Sequence, residues 1–494
     1  MLQVKSYSFW FAVGSQHLYG KDVLREVEAN SKAILEKLNT DGNLSYKIEF
    51  KMVVTSESEI SQLILEANSD PYCAGLITWM HTFSPGKMWI AGLSALQKPL
   101  LHLHTQFNRD IPWESIDMDY MNLNQSAHGD REYAYMVTRL NIPRKVIVGY
   151  WKHADTQQRI NDWIKIAVAV QESRHLRIAR FGDNMRSVAS TEGDKIEAQI
   201  KLGWTVDYIG IGDLVERIET VTKEQVNTLL DEYHQLYKID SKSLGSSHFQ
   251  DSIKEQARIE IGLRKFLRTG GYSAFTTNFE DLHGMNQLPG LAVQRLMAEG
   301  YGFAGEGDWK TAAMTRLLKV LSGNQDTSFM EDYTYHLEPG NEMILGSHML
   351  EVCPTIAAEK PEIIVHPLGI GRKQDPARLV FDGKAGSGIV TSLIQLSGRY
   401  RLVVNDITSL SSTNESPNLP VAKALWKPHP SLTTAAEAWI YAGGSHHTVF
   451  SLAVTKEQLY DFADILQVEC IIIDEDTNLN RFRQELKMNE VIWN

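Results

Sequence analysis

The chain has 494 residues, 43% of them hydrophobic and 22% charged, with a formal net charge of -12. At roughly 100–200 residues per domain, it holds about three domains whose cores need no staples. The acidic balance excludes a broad phosphate-binding surface of clustered Lys and Arg, so no nucleic-acid partner is expected.

The chain opens with Met1-Leu2-Gln3-Val4-Lys5-Ser6-Tyr7. No basic stretch leads into an apolar run there, so no secretory signal is read. No apolar run anywhere reaches the ~18 residues needed to cross a bilayer. A cytoplasmic location without a membrane partner is the expectation.

Tyr7–Val13 is the first strand-like run, broken at Gly14-Ser15-Gln16-His17-Leu18-Tyr19-Gly20. Helical periodicity follows over Lys21–Leu38, then a strand over Ile48–Val54. Ser56 and Glu59 have the spacing of a capping box, which predicts a helix through Ile60, Leu63 and Leu65. Ala74–Trp79 and Leu100–His104 read as strands, with a helix over Lys87–Leu96 between them. Val146–Trp151, Leu176–Phe181 and Val206–Ile211 continue the alternation. Strands and helices in turn predict parallel sheets covered on both faces. The series holds too many such units for one domain and divides near residue 175.

From about residue 325 the texture changes. Short strand-like runs at Met343–Leu345, Ile363–Val365, Leu379–Phe381, Ile389–Leu396, Tyr400–Val404 and Thr448–Val454 are separated by turn residues. That pattern predicts an antiparallel sheet or barrel. A helix over Glu457–Ile465 and a strand over Cys470–Ile473 are read as closing the chain.

Several chemistries are excluded. Gly210-Ile211-Gly212-Asp213-Leu214-Val215 lacks the third glycine of a dinucleotide fingerprint, and no P-loop, HExxH or GxSxG occurs. Cys73, Cys353 and Cys470 are widely spaced and form no CxxC, so neither a thiolate zinc site nor a disulfide framework is expected. A reducing cytosol fits that usage.

What remains is a set of carboxylates and imidazoles. Glu306 lies in Gly305-Glu306-Gly307-Asp308, where flanking glycines allow a sharp turn and close approach of a ligand. Asp308 reads as the N-cap of a helix over Trp309–Leu321, whose dipole favours an ionised Glu306. A solvated loop glutamate is the plainer alternative. Strand alternation puts Glu331 on one face with Tyr333, Tyr335 and Leu337, and a carboxylate on an aromatic face needs a partner. His348 follows Gly346-Ser347, and taken alone it reads better as a hydrogen-bonded core residue. His446 and His447 follow Gly443-Gly444-Ser445, and alternation along a strand would let only one of them face a given metal. Two carboxylates and two imidazoles without thiolate favour Mn²⁺ or a similar divalent ion over zinc.

These segments resemble the L-arabinose isomerase family. The resemblance is carried by Gly14 to Gly20, Phe279-Glu280-Asp281-Leu282-His283-Gly284, Gly302 to Ala312, Glu331 to His336, Gly346 to Pro354 and Ala442 to Phe450, and covers essentially the whole chain. It implies two doubly wound α/β domains, N-terminal (1–175) and central (176–325), followed by a mainly antiparallel β-barrel-like domain (326–494). It implies reversible isomerisation of L-arabinose to L-ribulose, and of D-galactose to D-tagatose, through a metal-stabilised enediol, as the first step of L-arabinose catabolism. Glu306, Glu331, His348 and His447 match the metal ligands, and Glu306 and Glu331 the acid–base pair. Gln16, Leu18, Phe83, His128, Met185, Phe279, Ile370 and His446 match the substrate pocket. One Mn²⁺ per subunit is implied, with Co²⁺ or Mg²⁺ as substitutes. So is a homo-oligomer, a hexamer, whose subunits share the active site.

Overall fold

A computed structural model describes residues 2–41, 44–369, 371–412 and 416–493. The chain forms two compact units, Val4–Gln171 and a second made of Glu172–Asn494 with the residues before Val4.

The first unit is built on five parallel strands: β1 (Ser8–Gly14), β2 (Lys47–Val54), β3 (Cys73–Met80), β4 (Leu100–His104) and β5 (Lys145–Val148). Their order is β2-β1-β3-β4-β5. Every residue of the central β3 is buried, as a strand covered on both faces requires. The predicted capping box forms: Ser56 Oγ accepts from Glu59 N, and the Glu59 side chain accepts from Ser56 N. The helix Glu57–Ser69 then buries Ile60, Leu63, Ile64 and Ala67 against Met80, Trp89 and Leu93. Lys87–Leu96 is not one helix. A 3-10 turn at Gly86–Trp89 precedes a short helix at Ile90–Ala95.

The second unit begins with a four-stranded parallel sheet of β6 (Arg177–Phe181), β7 (Thr205–Ile209), β8 (Ala274–Thr277) and β9 (Gly302–Ala304), in the order β7-β6-β8-β9. Helices Ser247–Gly270 and Trp309–Leu321 pack beside it.

Past residue 325 come β10 (Thr327–His336), β11 (Met343–Ser347), β12 (Glu362–Val365), β13 (Ala377–Val380), β14 (Gly386–Leu396), β15 (Arg399–Leu410), β16 (Lys423–Pro428), β17 (His447–Ser451) and β18 (Glu469–Ile473). Six of them close an antiparallel barrel in the order β14-β17-β10-β11-β16-β15, with β15 returning to β14. β18 joins the outside of β15 in parallel, and β12 and β13 form a separate pair. The predicted turn Ser397-Gly398 links β14 to β15, with Gly398 at φ 75°. The fold class read from the sequence is therefore the one found: two parallel α/β sheets followed by an antiparallel barrel.

Two local expectations are corrected. The chain does not close on β18, since a helix at Leu479–Ile492 follows, burying Phe482 and Leu486. The alternation read along Glu331–Leu337 also breaks. The pairing of β10 with β11 slips between Asp332 and Thr334, leaving Tyr333 as a bulge. Glu331 and Tyr333 then line one cavity, while Asp332 and Tyr335 line another.

Candidate active site

Barrel pairing assembles the site. On β10, Glu331 lies opposite Ser347 on one side and His447 on the other. His348 is the residue after Ser347, so three residues distant in sequence meet at one point of the barrel. Glu306 reaches the same point from the turn after β9, and the predicted helix follows over Trp309–Leu321. Asp308 caps that helix, accepting from Thr311 N at 3.2 Å and Thr311 Oγ1 at 2.7 Å.

Glu306 has φ 62°, a left-handed conformation that costs a non-glycine residue about 1–2 kcal/mol. The turn holds it there: Met185 N donates to Glu306 O at 2.9 Å, and Gly307 follows at φ 78°. Gly305 has its own reason to lack a side chain. A Cβ there would stand 3.2 Å from the His348 ring.

The donor atoms face one another without touching. His447 Nε2 lies 3.3 Å from Glu331 Oε1 and 3.7 Å from Glu306 Oε2, and His348 Nε2 lies 3.9 Å from Glu331 Oε2. Each histidine is turned by its other nitrogen. His447 Nδ1 is 3.0 Å from Asp308 Oδ2, and His348 Nδ1 is 2.5 Å from Glu351 Oε2. A carboxylate on Nδ1 fixes the tautomer that leaves Nε2 as an acceptor toward the centre. Phe329 packs against both rings, with centroids at 4.9 and 5.2 Å.

Electrostatics follow from this packing. Burial disfavours a charged His447, yet the carboxylates of Asp308 and Glu331 outweigh it and push the imidazole up to about 9. Burial would raise Glu331, but His447, His348 and His446 hold it below the usual carboxylate range. Asp308 is held far lower still, against its burial, by Lys310 and His447.

A divalent cation fits these residues. His447 Nε2 is fully buried and has no hydrogen bond. Separations of 3.3–3.9 Å run from the edge of a coordination shell, about 3.0–3.4 Å for bonds of roughly 2.1 Å, to about half an ångström wider, so the donors surround a point without closing on one another. A second cluster makes the contrast. In the first unit, His102 Nε2 and His104 Nδ1 sit 2.8 and 2.6 Å from the two oxygens of Asp130. That group has collapsed onto hydrogen bonds, and Met80 N adds a third donor at 3.1 Å. It is a hydrogen-bonded network in which His102 Nδ1 is left without a partner, and its residue types could also hold a metal.

His446 departs from the alternation argument. β17 begins at His447, so His446 lies outside the strand. Its Nε2 stands 3.8 Å from Glu331 Oε1 and 3.9 Å from Glu306 Oε2. Both imidazoles thus reach the same two carboxylates, His446 from the solvent side at 45% exposure and His447 from within.

Glu306, Glu331 and His348 line a cavity of about 240 Å³, together with Met185, Phe279 and Tyr333. Of the residues matched to a substrate pocket, Met185 and Phe279 are in this wall and His446 stands beside the carboxylates. Ile370 lies outside the described residues. Gln16, Leu18, Phe83 and His128 belong to the first unit. There Phe83 packs on His128 at 4.7 Å, His128 Nδ1 meets Gln125 Oε1 at 2.9 Å, and Leu18 is exposed. Sequence reasoning passed over Glu351 and Ser190, took Asp308 for a cap alone, and placed Tyr333 on the face of Glu331, where the cavity has it. The spacing of Glu351 three residues after His348 was the one available signal.

Comparison with known proteins places this architecture. Three family models match in succession: the L-arabinose isomerase N-terminal domain over residues 3–175, its central domain over 177–324 and its C-terminal domain over 326–469. The chain is thus a sugar isomerase by class. An L-arabinose isomerase of Geobacillus stearothermophilus is 61% identical over 100% of this chain and 99% of its own. Those of Anoxybacillus flavithermus and Clostridium beijerinckii are 60% and 58% identical over 100% of this chain, covering 99% and 100% of theirs. The chain belongs to the L-arabinose isomerase family.

Proposed function

We propose that this protein interconverts L-arabinose and L-ribulose, and D-galactose and D-tagatose, as the entry step to L-arabinose catabolism in the cytoplasm. Family membership supports the activity. The observation that carries the chemistry is the pair Glu306 and Glu331, both within 3.7 Å of one orphaned imidazole nitrogen at the wall of a sugar-sized cavity.

Glu306, Glu331, His348 and His447 are the residues to hold one divalent ion, Mn²⁺, with Co²⁺ or Mg²⁺ as substitutes. The ion, when bound, supplies Lewis acidity that polarises the sugar carbonyl. The protein's own groups do the rest. One glutamate takes the proton from C2 of the open-chain sugar, and the other moves the hydroxyl proton. Return of a proton to C1 completes the ketose through an enediol. A positioned base of this kind typically contributes about 10²–10⁴-fold. Met185, Phe279 and His446 orient the sugar in this unit, and Gln16, Leu18, Phe83, His128 and Ile370 complete the pocket in a homohexamer whose subunits share it. We assign the domains to 1–175, 176–325 and 326–494.

Incubation of the purified chain with L-arabinose and Mn²⁺ should yield L-ribulose, and absence of product would refute the reading. Run in deuterated water, the ketose should carry deuterium at C1. A product without label would replace the enediol with a hydride shift.

A further inference from the structure

Helix Trp309–Leu321 starts beside the site, and its second residue, Lys310, is only 1% exposed. An ammonium group removed from water needs acceptors for its three hydrogens. Lys310 Nζ finds them on a separate segment. It donates to the carbonyl oxygens of Ser190 at 3.0 Å, Thr191 at 2.9 Å and Glu192 at 2.6 Å, while Asp308 Oδ1 lies at 3.4 Å. Three successive carbonyls converge on one cation.

The segment so gripped runs from Asp183 to Glu192 and is pinned along its length. Asp183 N donates to Asp281 Oδ2 at 2.8 Å, and Arg186 N to Glu280 Oε2 at 3.2 Å. Met185 N donates to Glu306 O at 2.9 Å, and Asn184 Nδ2 to Gly307 O at 3.1 Å. Two of its side chains serve the site. Met185 lines the cavity, and Ser190 Oγ is 3.4 Å from His446 Nδ1. Asn184 Nδ2 also donates to the Thr191 carbonyl at 2.6 Å, tying the end of the segment to its front, and Lys310 is the group that anchors the Ser190, Thr191 and Glu192 carbonyls to the helix.

We infer that Lys310 is a positioning residue for sugar binding. It acts through residues 183–192, setting Ser190 against His446 and Met185 into the cavity wall. The inference rests on the isomerase reading given above. Lys310 itself is no part of the cavity wall. A lysine that only stabilised the helix would change the folded fraction and leave substrate affinity alone.

The test is K310M in the full chain. KM for L-arabinose should rise about tenfold, the scale of lost hydrogen bonds, with kcat within about threefold. Mn²⁺ affinity, measured by calorimetry without sugar, should also stay within about threefold, and amide exchange should quicken at 185–192 while helix 309–321 keeps its protection. S190A should share the rise in KM, and K310M/S190A should add nothing to K310M. An unchanged KM with kcat falling in step with the folded fraction would overturn the inference. So would a lost Mn²⁺ affinity with exchange at 185–192 unaltered, since Lys310 would then be acting through Asp308. If K310M does not fold, N184A and S190A decide, and wild-type KM in both overturns it. A wild-type chain inert on L-arabinose refutes the isomerase reading itself. Faster exchange at 185–192 in K310M would then still uphold the hold on the segment, and unchanged exchange would refute it.

Discussion

At Glu306 and Glu331 two demands meet, because each carboxylate must hold a cation and exchange a proton. E306A and E331A should each cut turnover by at least about 10²-fold while leaving the fold intact by circular dichroism. Asp308 is buried away from the cavity and Glu351 stands at its wall, and each decides where one of the two imidazoles points. D308A should therefore weaken Mn²⁺ binding by about 10–100-fold, read by calorimetry. Acid should weaken it as well. His447 must lose its proton to bind a cation, and in the metal-free chain it is pushed up to about 9 from a usual 6.5. Mn²⁺ affinity should climb with pH toward that value and release protons on binding. Metal-free stability runs the other way. A raised folded value means that the contribution of His447 is complete below about pH 6.5 and is lost as pH rises through about 9. Urea titrations of metal-free protein at pH 6.5 and 9.5 should show that fall, and H447Q should abolish it.

Elements explain which parts of the site the sequence could announce. The helix after Asp308 was legible to the residue, because a cap and a glycine turn agree there. The bulge at Tyr333, past which Tyr335 lines a different cavity from Glu331, was not, since it depends on how β10 pairs with β11, a partner distant from any local pattern. The argument separating His446 from His447 assumed that both lie in a strand, and the strand begins one residue later. Helices Leu432–Ala442 and Leu479–Ile492 went unread because packing on one another and beside β15 and β18, rather than strong periodicity, sustains them. The meeting of Glu306, Glu331, His348 and His447 was carried at the sequence level by resemblance alone. β11 offers a direct test of how tightly the barrel fixes the site. A Cβ on Gly346 would lie 2.0 Å from the Trp426 indole, itself buried. G346A should cost about 1–3 kcal/mol of stability by denaturant titration and, by shifting Ser347 and His348, weaken Mn²⁺ binding too.

Across the second unit, the four proposed ligands come from two architectures, Glu306 from the turn after the parallel sheet and the other three from the barrel. A bound ion would tie the two together, so binding should stabilise the whole unit. With Mn²⁺ at about a hundred times its Kd, the gain is about 2.7 kcal/mol. The melting temperature should rise by a few degrees, return on dialysis against chelator and stay unmoved by Mn²⁺ in H348A/H447A. Activity should vanish and recover in step. Ring closure in the barrel has a further consequence. β10, β11 and β17 each have a hydrogen-bonded neighbour on both sides, so none of the strands that carry the site can fray by itself. Heat inactivation then has no gradual phase in which the three ligands carried by the barrel loosen before the barrel does. Catalysis and barrel should be lost in a single cooperative event, and a preparation half inactivated by heat should consist of fully competent molecules beside unfolded ones.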